Sequence, residues 1–137
     1  ALMADTFYAQ VLAYTTGLGD LLADPTKLDA HNKAVATKND SPFGFIIQTG
    51  RYPYPGPAQD NSLWQMASPN WASLMLHRGA DVSAALSQPS KSLGLWRSVL
   101  NDLWNVAGVA GGIDLPQFGL PWITSHYGYA MTSWHIL

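Results

Sequence analysis

The chain has 137 residues, a net charge of −2 and 47% hydrophobic residues, which excludes a disordered chain and suits one domain with a buried core. Its seven basic residues are spread along the sequence, so they form no patch that would bind nucleic acid. The absence of cysteine excludes disulfide bonds and zinc–thiolate sites.

Low charge is the unusual feature of the composition. Only 12% of the residues are charged, against about 25% in a typical soluble domain, and all nine acidic residues are aspartates. A weakly charged surface gives little repulsion between copies and therefore tolerates association. The composition fits a subunit of an assembly, and it equally fits a neutral protein that is secreted, lumenal or on the surface of a particle.

Two helices are predicted in the first part of the chain. Asp5 can cap a helix that runs to about Ala23, in which apolar residues recur at steps of three and four. Asp24 then caps a second helix, with Pro25 at its first position, that runs to about Ala36. The apolar stripe of the first helix consists of Phe7, Val11, Tyr14, Leu18, Leu21 and Leu22.

The segment 37–61 is predicted to be a long, ordered excursion from the helical domain. The letters "FIIQT" favour a short extended segment, and the alternating prolines of "GRYPYPGPAQDN" favour polyproline II and exclude a helix. Four aromatic residues in this segment need a surface to pack against, which a free linker would not provide: Phe43, Phe45, Tyr52 and Tyr54.

Helical patterns return at Ser62, where "NSLWQMA" predicts a short helical turn. Ser68 is a candidate N-cap for the next helix, and Gly79 is predicted to end it in a left-handed conformation. Asp81 can cap a further helix that ends at Pro89.

A long helix is predicted from Ser90 to Gly111–Gly112. Because no alternating pattern is long enough for a sheet, the predicted fold is mostly α. It is a single compact helical domain, residues 1–114, with long loops rich in proline, glycine and aromatic residues, followed by an extended C-terminal arm, residues 115–137. The apolar stripe of this helix consists of Leu93, Trp96, Leu100, Leu103, Trp104 and Ala107.

No residues stand in a pattern that predicts catalysis, metal binding or a cofactor. The four histidines have none of the metal-binding spacings, there is no nucleophile elbow, and no glycine-rich loop follows a strand. A small enzyme that uses an aspartate with His77 or His126 stays open as an alternative. Asn39-Asp40-Ser41 matches the N-glycosylation pattern, although Pro42 directly follows it.

The strongest functional signals are small residues and surplus aromatic residues. Gly108 and Gly112 would bare one helical end for close contact, and the uncharged arm carries more tyrosine and tryptophan than one small core can bury. We therefore predict interface residues among both groups: Tyr52, Tyr54, Gly108, Gly112, Phe118, Trp122, Tyr127, Tyr129 and Trp134.

The function expected from these signals is that of a non-catalytic structural subunit in a homo-oligomer, a filament or a larger complex. Its partners would be copies of itself or other protein subunits, with no direct contact to nucleic acid. No transmembrane segment is predicted, but contact with a membrane surface is allowed. The alternative is a module that binds an apolar or sugar-like small molecule between the "RYPYPGP" loop and the arm.

Overall fold

The computed structural model describes residues 2–49, 62–64, 66–99 and 107–110. Four helices make up more than half of these residues and confirm the mostly α fold. The helices are α1 (Tyr8–Thr15), α2 (Thr26–Lys38), α3 (Ala67–His77) and α4 (Val82–Val99). The short strands are β1 (Leu2–Met3), β2 (Gln48–Thr49), β3 (Ser62–Trp64) and β4 (Ala107–Ala110).

Helix α1 is shorter than predicted at both ends. It begins at Tyr8 without a side-chain cap, so the prediction that Asp5 caps it was wrong. It ends because Gly17 takes a φ of 77°, and the N–H of Leu18 donates to the carbonyl of Ala13 at 2.8 Å. This six-to-one bond after a left-handed glycine is the Schellman motif, which closes the helix eight residues before Ala23.

Helix α2 begins where the capping pattern predicted. The carboxylate of Asp24 accepts a hydrogen bond from the backbone N–H of Thr26 at 3.1 Å, and Pro25 stands at the boundary of the helix. The helix continues two residues past the predicted end at Ala36 and finishes at Lys38.

Helix α3 ends as predicted but begins differently. Gly79 has a φ of 79°, and the N–H of Ala80 donates to the carbonyl of Met75 at 2.9 Å, which makes a second Schellman motif. Ser68 is already inside the helix, so its prediction as N-cap was wrong. The Ser68 hydroxyl instead accepts the backbone N–H of Phe45 at 3.1 Å.

Helix α4 is continuous where two helices had been predicted. Its start is capped as expected, since Asp81 Oδ1 accepts the N–H of Ala84 at 3.0 Å. The prediction that a helix ends at Pro89 was wrong. The helix continues through Pro89, although proline has no N–H to donate to the carbonyl one turn earlier. The hydroxyls of Ser87 and Ser90 each donate to an earlier carbonyl of the helix, at 2.8 Å.

Two small antiparallel sheets replace predicted helix or loop. Strands β1 and β2 pair with Leu2 opposite Thr49, which confirms an extended segment in "FIIQT". Strands β3 and β4 pair with Ser62 opposite Ala110. The predictions of a helical turn at Ser62 and of helix over 107–110 were therefore wrong, because short runs of small and apolar residues suit either state until a pairing partner decides.

The described core has two parts. In the larger, Phe45 packs edge to face against Trp71 with ring centroids 5.0 Å apart, which gives Phe45 its predicted packing surface. In the smaller, Val11, Leu28 and Leu74 join α1, α2 and α3. Among the described helices, none is long and apolar enough to cross a bilayer. The larger part consists of Ala4, Val35, Phe45, Ile47, Ala67, Trp71 and Ala72.

Candidate functional site

Of the nine predicted interface residues, Gly108 alone lies in the described part of the chain. It stands in β4, within a strand instead of the predicted helical end. The proposal that a bare helical end presents this glycine therefore fails, and its place in an interface stays a prediction. The other eight lie outside the described residues: Tyr52, Tyr54, Gly112, Phe118, Trp122, Tyr127, Tyr129 and Trp134.

Exposed apolar side chains are concentrated on α1 and the loop that follows it: four of the five large ones among the described residues lie there, and the fifth is Val82. We call this region the α1 surface and define it by four residues, whose exposed fractions are 40% for Tyr8, 43% for Leu12, 75% for Leu18 and 55% for Leu21. Tyr8 and Leu12 are one helical turn apart and therefore share a face of α1. The sequence assigned Leu18 and Leu21 to a buried helical stripe, and the structure turns both towards solvent because the helix stops at Thr15.

Gln10 fixes this loop against the helix. Its side chain is 2% exposed; its amide Nε2 donates to the carbonyl of Gly19 at 2.9 Å, and its Oε1 accepts the N–H of Leu21 at 2.8 Å. Because one side chain holds the loop through both a donor and an acceptor, Leu21 is presented outward by a fixed backbone. In the sequence, Gly17 and Gly19 are the only signal for this clamp: Gly17 ends the helix, and the carbonyl of Gly19 accepts from Gln10.

Asp20, in the loop of the α1 surface, belongs to a group of paired charges with Arg78 and Asp29. Arg78 donates to both carboxylate oxygens of Asp29, from Nε at 3.0 Å and from Nη2 at 2.7 Å, and its Nη1 lies 3.9 Å from Asp20. Tyr14 in turn donates its hydroxyl to Asp20. The guanidinium of Arg78 lowers the pKa of Asp29, and the paired carboxylate raises the pKa of Arg78. From Phe7 to Gly19 the chain has no charged residue at all.

The two described histidines occupy different settings. His31 is half-buried on α2, where its Nε2 lies 3.2 Å from the carbonyl oxygen of Met3 and its ring meets the edge of Phe7 at 4.8 Å. Burial lowers the pKa of His31, which favours the neutral ring. His77 is exposed and lies against Tyr14, with ring centroids 5.2 Å apart. His126, the other histidine named for a possible enzyme, lies outside the described residues.

Metal binding needs several ligand side chains close together. Within the described ranges, no three histidine, aspartate or glutamate side chains gather into a group that could hold an ion.

A small polar cavity lies between the N-terminal segment, α2 and α3. Asp5, His31, Asn32, Asn70 and Trp71 are among its lining residues, and the space open to the centre of a water-sized sphere is about 10 Å³. That volume admits about one water molecule and no sugar or drug-sized ligand. The alternative of a small-molecule module rested on the "RYPYPGP" loop and the arm, both of which lie outside the described residues.

The matched glycosylation pattern is buried in the folded chain. Asn39 is 0% exposed, and its Nδ2 donates to the carbonyl oxygens of Leu2 at 3.1 Å and Ile46 at 2.8 Å. Since the nitrogen that would carry a glycan is enclosed and donates to two carbonyls, Asn39 is a structural residue in the fold.

Comparison of the sequence with protein-family models, with curated proteins and with solved structures gives no match. The function proposed below therefore rests on the residues and contacts of this chain.

Proposed function

We propose that this protein is a non-catalytic structural subunit that assembles with copies of itself, or with other protein subunits, through exposed apolar surface. The observation that carries the proposal is the α1 surface, in which Leu12, Leu18 and Leu21 are exposed on a helix and a fixed loop. Exposed apolar groups that a fixed backbone holds together are typical of protein interfaces, whereas single scattered ones are not.

Burial of the exposed leucine side chains would favour association. Full burial of one leucine side chain contributes about 1.5–3 kcal/mol, so three such residues supply a useful part of a binding free energy. No charged residue lies between Phe7 and Gly19, so covering α1 would strand no unpaired charge of its own. Asp20, an exposed residue between Leu18 and Leu21, already receives the Tyr14 hydroxyl.

The aromatic loop and the arm would supply the remainder of the contact. Tyrosine and tryptophan are enriched at the centres of interfaces, and the segment 115–137 has no charged residue in 23 positions. This part of the proposal rests on composition. It includes Tyr52, Tyr54, Phe118, Trp122, Tyr127, Tyr129 and Trp134 as contact residues, and Gly108 and Gly112 as places of close backbone approach.

The test is the solution mass by light scattering over a hundredfold dilution. We expect the full chain to form a defined oligomer or filament, and Leu12→Lys combined with Leu18→Lys to reduce its mass. Ala30→Lys combined with Thr37→Lys is the matched control, because it adds the same two charges at exposed positions of α2. It should leave the mass unchanged.

A truncation after Gly119 separates the arm from the α1 surface. Loss of assembly in the truncated chain, with helical circular dichroism retained, would assign the arm to the interface. A full chain that is monomeric at every concentration would refute self-assembly, and equal masses for the α1 variant and its control would remove the α1 surface from the proposal.

A further inference from the structure

Asn32, one of the residues that line the polar cavity, carries a buried donor. It is 3% exposed, and its side-chain Nδ2 has no hydrogen-bond partner among the residues that the structure describes. The same residue is fixed from the other side, since Trp71 Nε1 lies 3.4 Å from its backbone carbonyl oxygen. An unpaired buried amide is costly, so native structures pair such groups with protein atoms or with ordered water.

Size and polarity restrict what this cavity can hold. The centre of a water-sized sphere can occupy about 10 Å³ of the cavity, which is enough space for one water molecule. The lining contains both the N–H donors of Asn32 and the half-buried carboxyl of Asp5, an acceptor. Water is a molecule of this size that can accept from the one and donate to the other.

The cavity lining also provides acceptors. Because the carbonyl of Met3 can only accept, His31 must donate to it from Nε2. In the neutral ring the other nitrogen, Nδ1, then carries a lone pair. Asp5 adds carboxyl oxygens to the lining. A molecule that accepts from Asn32 can thus donate its own hydrogens within the same cavity.

We propose that this cavity is a specific hydration site, in which one ordered water accepts a hydrogen bond from Asn32 Nδ2 and donates to His31 or Asp5. The water links the N-terminal segment to α2 beside the packed face of α3. It is part of the folded structure, and Tyr8, which also lines the cavity, is shared with the α1 surface.

A crystal structure of the full chain at about 1.2 Å resolution tests the site directly. The expected result is a water peak at hydrogen-bond distance, roughly 2.7–3.2 Å, from Asn32 Nδ2 and from a second polar atom of the cavity. A dry cavity would overturn the proposal, and so would an Asn32 amide that donates to a protein acceptor.

A pair of variants tests the energetic role. If water satisfies Asn32, then Asn32→Leu removes a made hydrogen bond, and the folding equilibrium constant should fall about tenfold. Ser73→Ala is the matched control: the Ser73 hydroxyl is also buried with no partner in the described part of the chain, but Ser73 is not among the residues that line the cavity. Its removal should change the constant less than threefold. An Asn32→Leu variant as stable as the wild type would contradict the proposal.

Discussion

The side chain of Asn39 donates a hydrogen bond to the carbonyl oxygen of Leu2, 37 residues earlier in the chain, at 3.1 Å. The same nitrogen donates to the carbonyl of Ile46 at 2.8 Å, and the backbone carbonyl of Asn39 accepts the N–H of Ile46 at 2.8 Å. Asn39 follows the last residue of α2. One buried amide therefore ties the end of this helix to β1 and to the segment that leads into β2.

Replacement of Asn39 should be strongly destabilising. Asn39→Ala removes both donors and leaves two carbonyl oxygens without this partner, so we expect the free energy of unfolding to fall by about 2–3 kcal/mol. Urea denaturation followed by circular dichroism measures the change. Lys38→Ala, at the exposed neighbouring position, is the control and should cost less than about 0.5 kcal/mol. A similar loss in both variants would contradict the role of the amide.

The helix boundaries that the sequence predicted well depend on local chemistry. Asp24 and Asp81 each accept an N–H within three residues, and Gly79 ends α3 through its own backbone conformation. Such interactions need no distant partner, so a short window of sequence is enough to identify them. Gly17 ends α1 by the same mechanism. The helix was predicted to continue because the apolar residues after Gly17 have the spacing of a helical stripe.

The features that the sequence did not predict depend on distant contacts. Ser62 pairs with Ala110, almost fifty positions away, and neither segment has an alternation that indicates a strand. The outward position of Leu21 depends on the amide of Gln10, which accepts the Leu21 N–H. In the sequence, Gln10 cannot be distinguished from any other polar residue of a helix. The cavity at Asn32 is likewise formed by three separate parts of the chain, and no spacing rule brings them together.

Gly79 provides a test of backbone conformation separate from packing. A Cβ added at this position would meet no atom within 4 Å, so the cost of Gly79→Ala comes from the φ of 79°. We expect the free energy of unfolding to fall by about 1 kcal/mol. Gly79→Asn should recover part of that loss, because asparagine tolerates the left-handed region better than alanine does. Chemical denaturation of the two variants side by side checks the order, and an alanine variant equal to the wild type would contradict it.

The ion pair of Arg78 with Asp29 should contribute little despite its good geometry. The side chains of Arg78 and Asp29 are 25% and 51% exposed, so screening by solvent and side-chain entropy offset much of the attraction. Arg78→Lys loses the two-pronged contact and should lower the free energy of unfolding by less than about 1 kcal/mol. Thermal unfolding at 0.05 M and 1 M salt measures this, and the difference between wild type and variant should shrink at high salt. A large, salt-independent loss would show that Arg78 acts through packing instead.

His31 should make stability depend on pH just below neutrality. Burial lowers its pKa in the folded state below the unfolded value of about 6.5, so the unfolded chain binds more protons between the two values. The stabilising effect of the neutral ring is therefore complete above about pH 6.5. It is lost progressively as the pH falls towards the folded pKa. The slope cannot exceed about 1.4 kcal/mol per pH unit for one group.

The variant His31→Gln isolates this contribution, since its amide can still donate to the carbonyl of Met3 but does not titrate. Urea unfolding at pH 7.5, 6.5 and 5.5 should show a steeper loss for the wild type than for the variant. Asp5, whose pKa burial raises, acts in the opposite direction, because the folded chain then binds more protons than the unfolded chain. Both proteins contain Asp5, so its contribution cancels in the comparison. Parallel pH profiles of the two proteins would mean that His31 is not held neutral by the fold.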